Sequence, residues 1–173
     1  MSSYSKRRKA QELTNLYCLI AILASSAAVL QTIESPLQGI LPWLKPGLAN
    51  SLTLYAIIKL SAKAGIIVAI FRTLIASIML GTFLSPVFFT SFSGSLAAAT
   101  AMITIKKITG VNHLSIISIS GAVASNLAQL YIIQLMFAGS ISLWFHLSIM
   151  ILVSIPSGII VAKLTQELLR STD

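Results

Sequence analysis

The chain reads as long apolar runs separated by short polar or basic punctuation. Five runs stand out: Leu13 to Ile33, Ala62 to Leu80, Pro86 to Ile105, His113 to Phe137 and Ile141 to Leu164. Each approaches or exceeds the ~20 residues that a helix rising ~1.5 Å per residue needs to cross ~30 Å of hydrocarbon. A sixth run, Gly47 to Leu60, has only 14 residues, or about 21 Å at helical rise. Either that helix starts earlier, through Ile40 and Leu41 and across Pro42 and Pro46, or it does not span alone. Proline removes a backbone donor and breaks the ladder, so the pattern predicts an irregular or re-entrant stretch followed by a short helix. The expected architecture is an all-α integral membrane bundle of six transmembrane helices, the second interrupted or short. It forms one domain over 1–173, with a basic stretch at 1–12 and an outer loop or lid at 34–46.

The basic residues fall between the runs: Lys6-Arg7-Arg8-Lys9, then Lys59 and Lys63, then Lys106-Lys107, then Lys163 and Arg170. If the N-terminus lies in the cytoplasm, six helices put all ten of these on the inner side, as the positive-inside rule requires. Lys45 alone falls in an outer loop and Arg72 within a span. Both termini are therefore expected inside, with the chain a multi-pass protein of the cytoplasmic (inner) membrane. The first apolar run continues to Ile33, longer than the ~7–15 residues of a signal-peptide core, so an anchored helix is expected rather than a cleaved leader.

Composition agrees. Of 173 residues, 56% are hydrophobic and 9% charged, against roughly 25% charged in soluble domains. A water-soluble globule cannot be coated with so little polar material, and so apolar a chain does not stay disordered. The net charge of +8 is scattered in clusters rather than gathered on one face, which argues against nucleic acid as a partner. The bilayer is the expected one. A single cysteine, Cys18, excludes an internal disulfide and any Cys-rich metal site. His113 and His146 lie at span ends without metal-ligand spacing, so no metal is assigned.

Candidate chemistry lies with polar groups that a membrane protein could have omitted. Arg72 sits ten residues past Ala62, about 15 Å into a layer ~30 Å thick, where a charge costs on the order of 2.5–3.5 kcal/mol. It either braces carbonyls or serves an anionic ligand in a polar cavity. Glu12 and Glu167 lie at the inner surface and Glu34 at the outer end of helix one, leaving no acid deep in a span. Glu34 either bridges to Lys45 or reaches Arg72 if the loop folds inward. Lys45-Pro46-Gly47 forms an abrupt turn into a helix whose N–H groups and dipole suit a phosphate or carboxylate, unless Lys45 is simply solvated. Asn50 needs a partner one turn inside the span. Asn126 and Gln129 share a helical face and either read a ligand edge or join helices. Trp43 and Trp144 belong to an aromatic belt or stack on a ligand. Ala24 and Ala28, echoed by Ala21 and Ser25, form a small-residue surface that packs in the bundle or docks another subunit. Gly81 to Pro86 reads as a tight hairpin in which Gly ends one helix and Ser-Pro opens the next.

Catalytic patterns are missing from the sequence. The only aspartate is Asp173, so no aspartate pair can hold Mg²⁺ for diphosphate chemistry, and no P-loop is present to spend ATP. A binding or conducting protein is expected, not an enzyme, and no cofactor is assigned.

Several segments together carry a resemblance: Lys45-Pro46-Gly47-Leu48-Ala49-Asn50 with Thr53-Leu54, Arg72, Gly81-Thr82-Phe83-Leu84-Ser85-Pro86 with Gly94, and Gly121-Ala122 followed by Asn126 and Gln129-Leu130. The set resembles the Gx transporter family, also labelled heptaprenyl diphosphate synthase component I. Ser125 stands where that family often has His, so no imidazole acts there. The resemblance implies a fold similar to the substrate-binding S components of energy-coupling-factor transporters. Gln31 to Pro46 would then be a lid, and Ala24 and Ala28 a docking surface for a transmembrane coupling subunit with its ATPases. It also implies an anionic substrate, above all a flavin (riboflavin, FMN or FAD) as cargo rather than cofactor. Arg72 and Lys45 would hold its phosphate, and Asn50, Asn126, Gln129 and Trp43 would read its ring. The synthase label implies the alternative, a membrane accessory subunit that binds a prenyl diphosphate.

Overall fold

The computed structural model describes residues 3–40, 47–136 and 143–172, and those residues are helical almost throughout. In chain order they form α1 (Ser3–Ile40), α2 (Ala49–Tyr55) continued by a π-helical turn (Ala56–Leu60), α3 (Ala62–Met79), α4 (Pro86–Thr109), α5 (Leu114–Met136) and α6 (Leu143–Arg170). Five of the six helices are long and apolar enough to cross a membrane. The protein is a multi-pass membrane protein. The exception is α2, whose seven residues and the five of the π turn reach no more than about 18 Å.

The expected short second helix is therefore present, and its surroundings explain how it persists. Ala49, Ser51, Leu52, Thr53, Leu54, Tyr55, Ala56 and Ile57 are all buried, with α1, α3, α4 and α6 packed around them. Irregular backbone at membrane depth is tolerated where protein rather than lipid covers it. The π turn is held from two sides. Lys106 on α4 donates from Nζ to the Ile57 carbonyl at 2.7 Å. Gly65 on α3 makes room for the Ile57 side chain, whose Cγ1 would lie 2.2 Å from a Cβ at that position.

The ends of α3 and α4 follow the local sequence rules. Ser61 caps α3 by accepting from the Ala64 N–H at 3.1 Å. The α3–α4 hairpin turns at Gly81, with φ near +65°, and Ser85 caps α4 ahead of Pro86. Leu84 takes φ near +60° in the same turn, a left-handed conformation that costs a non-glycine residue about 1–2 kcal/mol.

One expectation is corrected. The outer loop was placed at 34–46, with a lid beginning at Gln31, yet α1 runs unbroken as helix to Ile40. The helix includes Pro36, whose missing N–H and ring are a cost inside a helix that membrane helices tolerate where neighbouring groups serve the freed carbonyl. The stretch 1–12 likewise belongs to α1 from Ser3 onward. At 38 residues, α1 is about 57 Å long, nearly twice the hydrocarbon thickness. Residues 41–46, with Trp43 and Lys45, lie outside the described residues.

Candidate functional site

The polar groups converge on Arg72. Its side chain is 5% exposed, and it gathers acceptors from three other helices. Nη2 donates to Asn50 Oδ1 on α2 at 2.5 Å and to Ser95 Oγ on α4 at 2.9 Å. Nη1 donates to Gln31 Oε1 on α1 at 3.4 Å. Ser95 in turn donates to the Ala69 carbonyl at 3.0 Å, fixing its lone pairs toward the guanidinium. All three direct acceptors are neutral, and the buried Nε has no hydrogen-bond partner among the described residues.

A buried acid lies one helical turn from Gln31 on α1: Glu34 is 2% exposed, while Lys45, its other expected partner, lies outside the described residues. Because α1 continues past it, Glu34 sits inside the bundle instead of at a helix end. Its Oε1 accepts a hydrogen bond from the Leu48 N–H, the residue that leads into α2. The N-terminus of α2, expected to attract a ligand anion, is thus already served by a carboxylate of the chain itself. Gly47 takes the predicted turn there, with φ near +69°, and its carbonyl accepts from the Asn50 N–H at 2.8 Å.

Two small polar chambers flank Arg72. One, of about 20 Å³, lies toward the α3–α4 hairpin and is lined by Gln31, Ser35, Thr73, Ser77, Thr82 and Ser91 among others. The other, of about 10 Å³, lies between α2, α5 and α6, and brings Gly47 and Asn50 against Ser125, Asn126 and Ser157. Each has room for about one water. Gln31 lines the first chamber and Asn50 the second, and both accept from the Arg72 guanidinium.

The α5 amides make their own connections. Asn126 donates from Nδ2 to the Met150 carbonyl at 3.1 Å and to Ser154 Oγ at 2.7 Å, joining α5 to α6. Gln129 donates to Ser125 Oγ at 2.9 Å. Both lie close to α4 because position 94 is glycine: a Cβ there would stand 2.7 Å from Gln129 Nε2 and 2.9 Å from Ser125 Oγ. Asn50 and Asn126 therefore share a chamber, while Gln129 backs onto the turn of α4 that supplies Ser95. Ala24 and Ala28 are buried within the bundle, and Ala21 and Ser25 are the exposed pair on α1. Of Trp144 only its place in the first turn of α6 is described. No group of three His, Cys, Asp or Glu side chains that could hold a metal occurs among the described residues.

Gln31 and Ser95 were not singled out from the sequence. Serines are frequent in these spans, and only helix register shows which of them meets the arginine. Gln31 did carry a signal: it lies one helical turn before Glu34, so the two polar residues share a face of α1.

A family model described as heptaprenyl diphosphate synthase component I matches residues 23–168, most of the chain. No curated protein matches it, and no solved structure does.

Proposed function

The chain belongs to the heptaprenyl diphosphate synthase component I family, and from that premise we propose that it is the membrane-embedded, non-catalytic component of a prenyl diphosphate synthase. In this reading it binds the anionic diphosphate end of a prenyl chain and holds a soluble catalytic partner at the inner membrane. The observation that carries the reading is the buried Arg72, solvated by neutral oxygens of Gln31, Asn50 and Ser95. A cation kept this deep is expensive, and an anion that displaced those neutral acceptors would repay its desolvation through charge-assisted hydrogen bonds. Catalysis is assigned to the partner because a single aspartate, Asp173, cannot supply the carboxylate pair that holds Mg²⁺ on a diphosphate.

The flavin expectation gains less support. The family's name points to a prenyl diphosphate synthase, and the chambers, at about 20 and 10 Å³, have room for a water each, so a diphosphate or a flavin would equally require the helices to part.

The test is co-expression with an aspartate-rich synthase subunit, with partner recruitment and prenyl diphosphate binding both measured. The expected result is that the catalytic subunit moves to the membrane fraction. Arg72→Ala should also weaken prenyl diphosphate binding by about tenfold or more, since a charge-assisted bond contributes ~1.5–3 kcal/mol. A catalytic subunit whose location and activity ignore this protein would overturn the assignment. Purified protein that retains flavin, and loses it on the same substitution, would instead establish the transporter reading.

A further inference from the structure

A roomier concavity than the two chambers lies away from Arg72, an apolar groove of about 260 Å³ between α1 and α3. Its walls are Tyr17, Ile20, Ala21, Ala24 and Ser25 from α1, and Ile67, Phe71 and Ile75 from α3. Offsets of three, four, seven and eight residues put each wall on one helical face. Ala21 and Ser25 create the depth, since a large side chain at either position would close the groove. Tyr17, Ala21, Ser25 and Phe71 are exposed, so the groove opens sideways, toward the space that lipid occupies.

One end of the groove is basic. Lys63 is exposed on α3, four residues before Ile67, about 6 Å along the axis and on the same stripe. Leu16, Ile20, Leu60, Ala64 and Ile67 belong to one packed cluster, which sets Lys63 level with the Tyr17 end. Lys9 continues the α1 stripe two turns below Tyr17, with Arg7, Arg8 and Glu12 beside it, and the end of α6 that packs on the same cluster adds the Glu167–Arg170 ion pair. Beyond Ile75 the stripes carry no charge up to Met79 on α3. The polarity along the groove is that of an amphiphile: an apolar slot about 12 Å long with cations beyond one end.

We propose that this groove binds one anionic phospholipid of the surrounding bilayer, part of an acyl chain lying between α1 and α3 and its phosphate headgroup held at Lys63, within the positive field of Lys9. The site is separate from Arg72 and does not rest on the prenyl diphosphate reading. Lipid-facing cations near a membrane surface favour an anionic headgroup by an amount that makes each lysine worth several-fold in affinity. The small residues supply the chain's share through apolar contact.

Native mass spectrometry of the full chain, delipidated and then offered equal phosphatidylglycerol and phosphatidylethanolamine, provides the test. The expected result is preferential retention of one phosphatidylglycerol. The exposed double substitution Lys9→Ala, Lys63→Ala should lower that preference about tenfold. Ala21→Phe, or Ser25→Leu if the first fails to fold by its helical circular dichroism, should abolish retention of both lipids. Equal retention of the two lipids, or an undiminished preference in the double variant, would overturn the proposal. So would a groove found occupied by a second polypeptide or by a co-purifying prenyl diphosphate.

Discussion

Arg72 is held by the chain as a solvated ion would be, by dipoles contributed from several directions. Gln31, Asn50 and Ser95 come from α1, α2 and α4, so one side chain of α3 ties four helices. Glu34, one helical turn from Gln31 on α1, is a buried acid of opposite charge. Removing one member of a buried charge pair leaves the other uncompensated, whereas removing both is far milder. Arg72→Met and Glu34→Gln should each lower the thermal stability of the detergent-solubilised protein, and the double variant should lose less than the sum. A coupling of about 1–3 kcal/mol is expected from residues in one network; additive losses in the double-mutant cycle would show that the two do not act together. Arg72 itself was legible, because a charge in the middle of an apolar run stands out. Its partners were not, because Gln31 and Ser95 lie 41 and 23 positions away and meet it only through helix packing. Asn50 was legible as an amide in need of a partner, but nothing in the sequence named the partner.

At the scale of elements, glycine sets how closely the helices approach. A Cβ on Gly158 would lie 2.6 Å from the Ile119 Cα and 2.9 Å from its N, so α6 rests directly on the backbone of α5. The nearest atoms to a Cβ on Gly121 would all belong to the Met102 side chain, its Cε at 2.4 Å. Backbone cannot yield without moving a helix, while a thioether has three torsions with which to step aside. Gly158→Ala should therefore cost about 1–3 kcal/mol as an overpacked core does, and Gly121→Ala clearly less, in parallel thermal melts. Equal losses would mean that Met102 is as fixed as the α5 backbone. The apolar runs predicted α3 as Ala62 to Leu80, against Ala62–Met79 observed, and α5 as His113 to Phe137, against Leu114–Met136. The same method set α1 at Leu13 to Ile33 and missed nearly half of its 38 residues. Hydropathy marks where hydrocarbon lies, whereas a helix ends where its hydrogen-bond ladder ends, and the two coincide only when a turn follows directly.

Across the whole molecule, charge placement predicts sidedness. With Cys18 replaced by Ser, single cysteines at positions 9, 107 and 172 should react with an impermeant maleimide only from the cytoplasmic side. One at position 82, in the α3–α4 hairpin, should react only from outside. Labelling of 9 and 107 from opposite sides would refute the six-segment topology. That topology needs the chain to cross between Ile40 and Ser61 using only the short α2 and what precedes it, so the π turn at its far end has an effect on angular phase. A π turn holds one residue more than an α turn, and a residue in an α-helix occupies about 100° of arc. Deleting one residue between Ala56 and Leu60 would let the ladder close as an ordinary α-helix. Everything N-terminal to it would then rotate by about 100° relative to the end anchored by Lys106. Asn50 would turn away from Arg72, and the Leu48 N–H away from Glu34. The extra residue thus works as a phase shifter, one inserted step that brings the polar face of α2 into register with a cation on another helix.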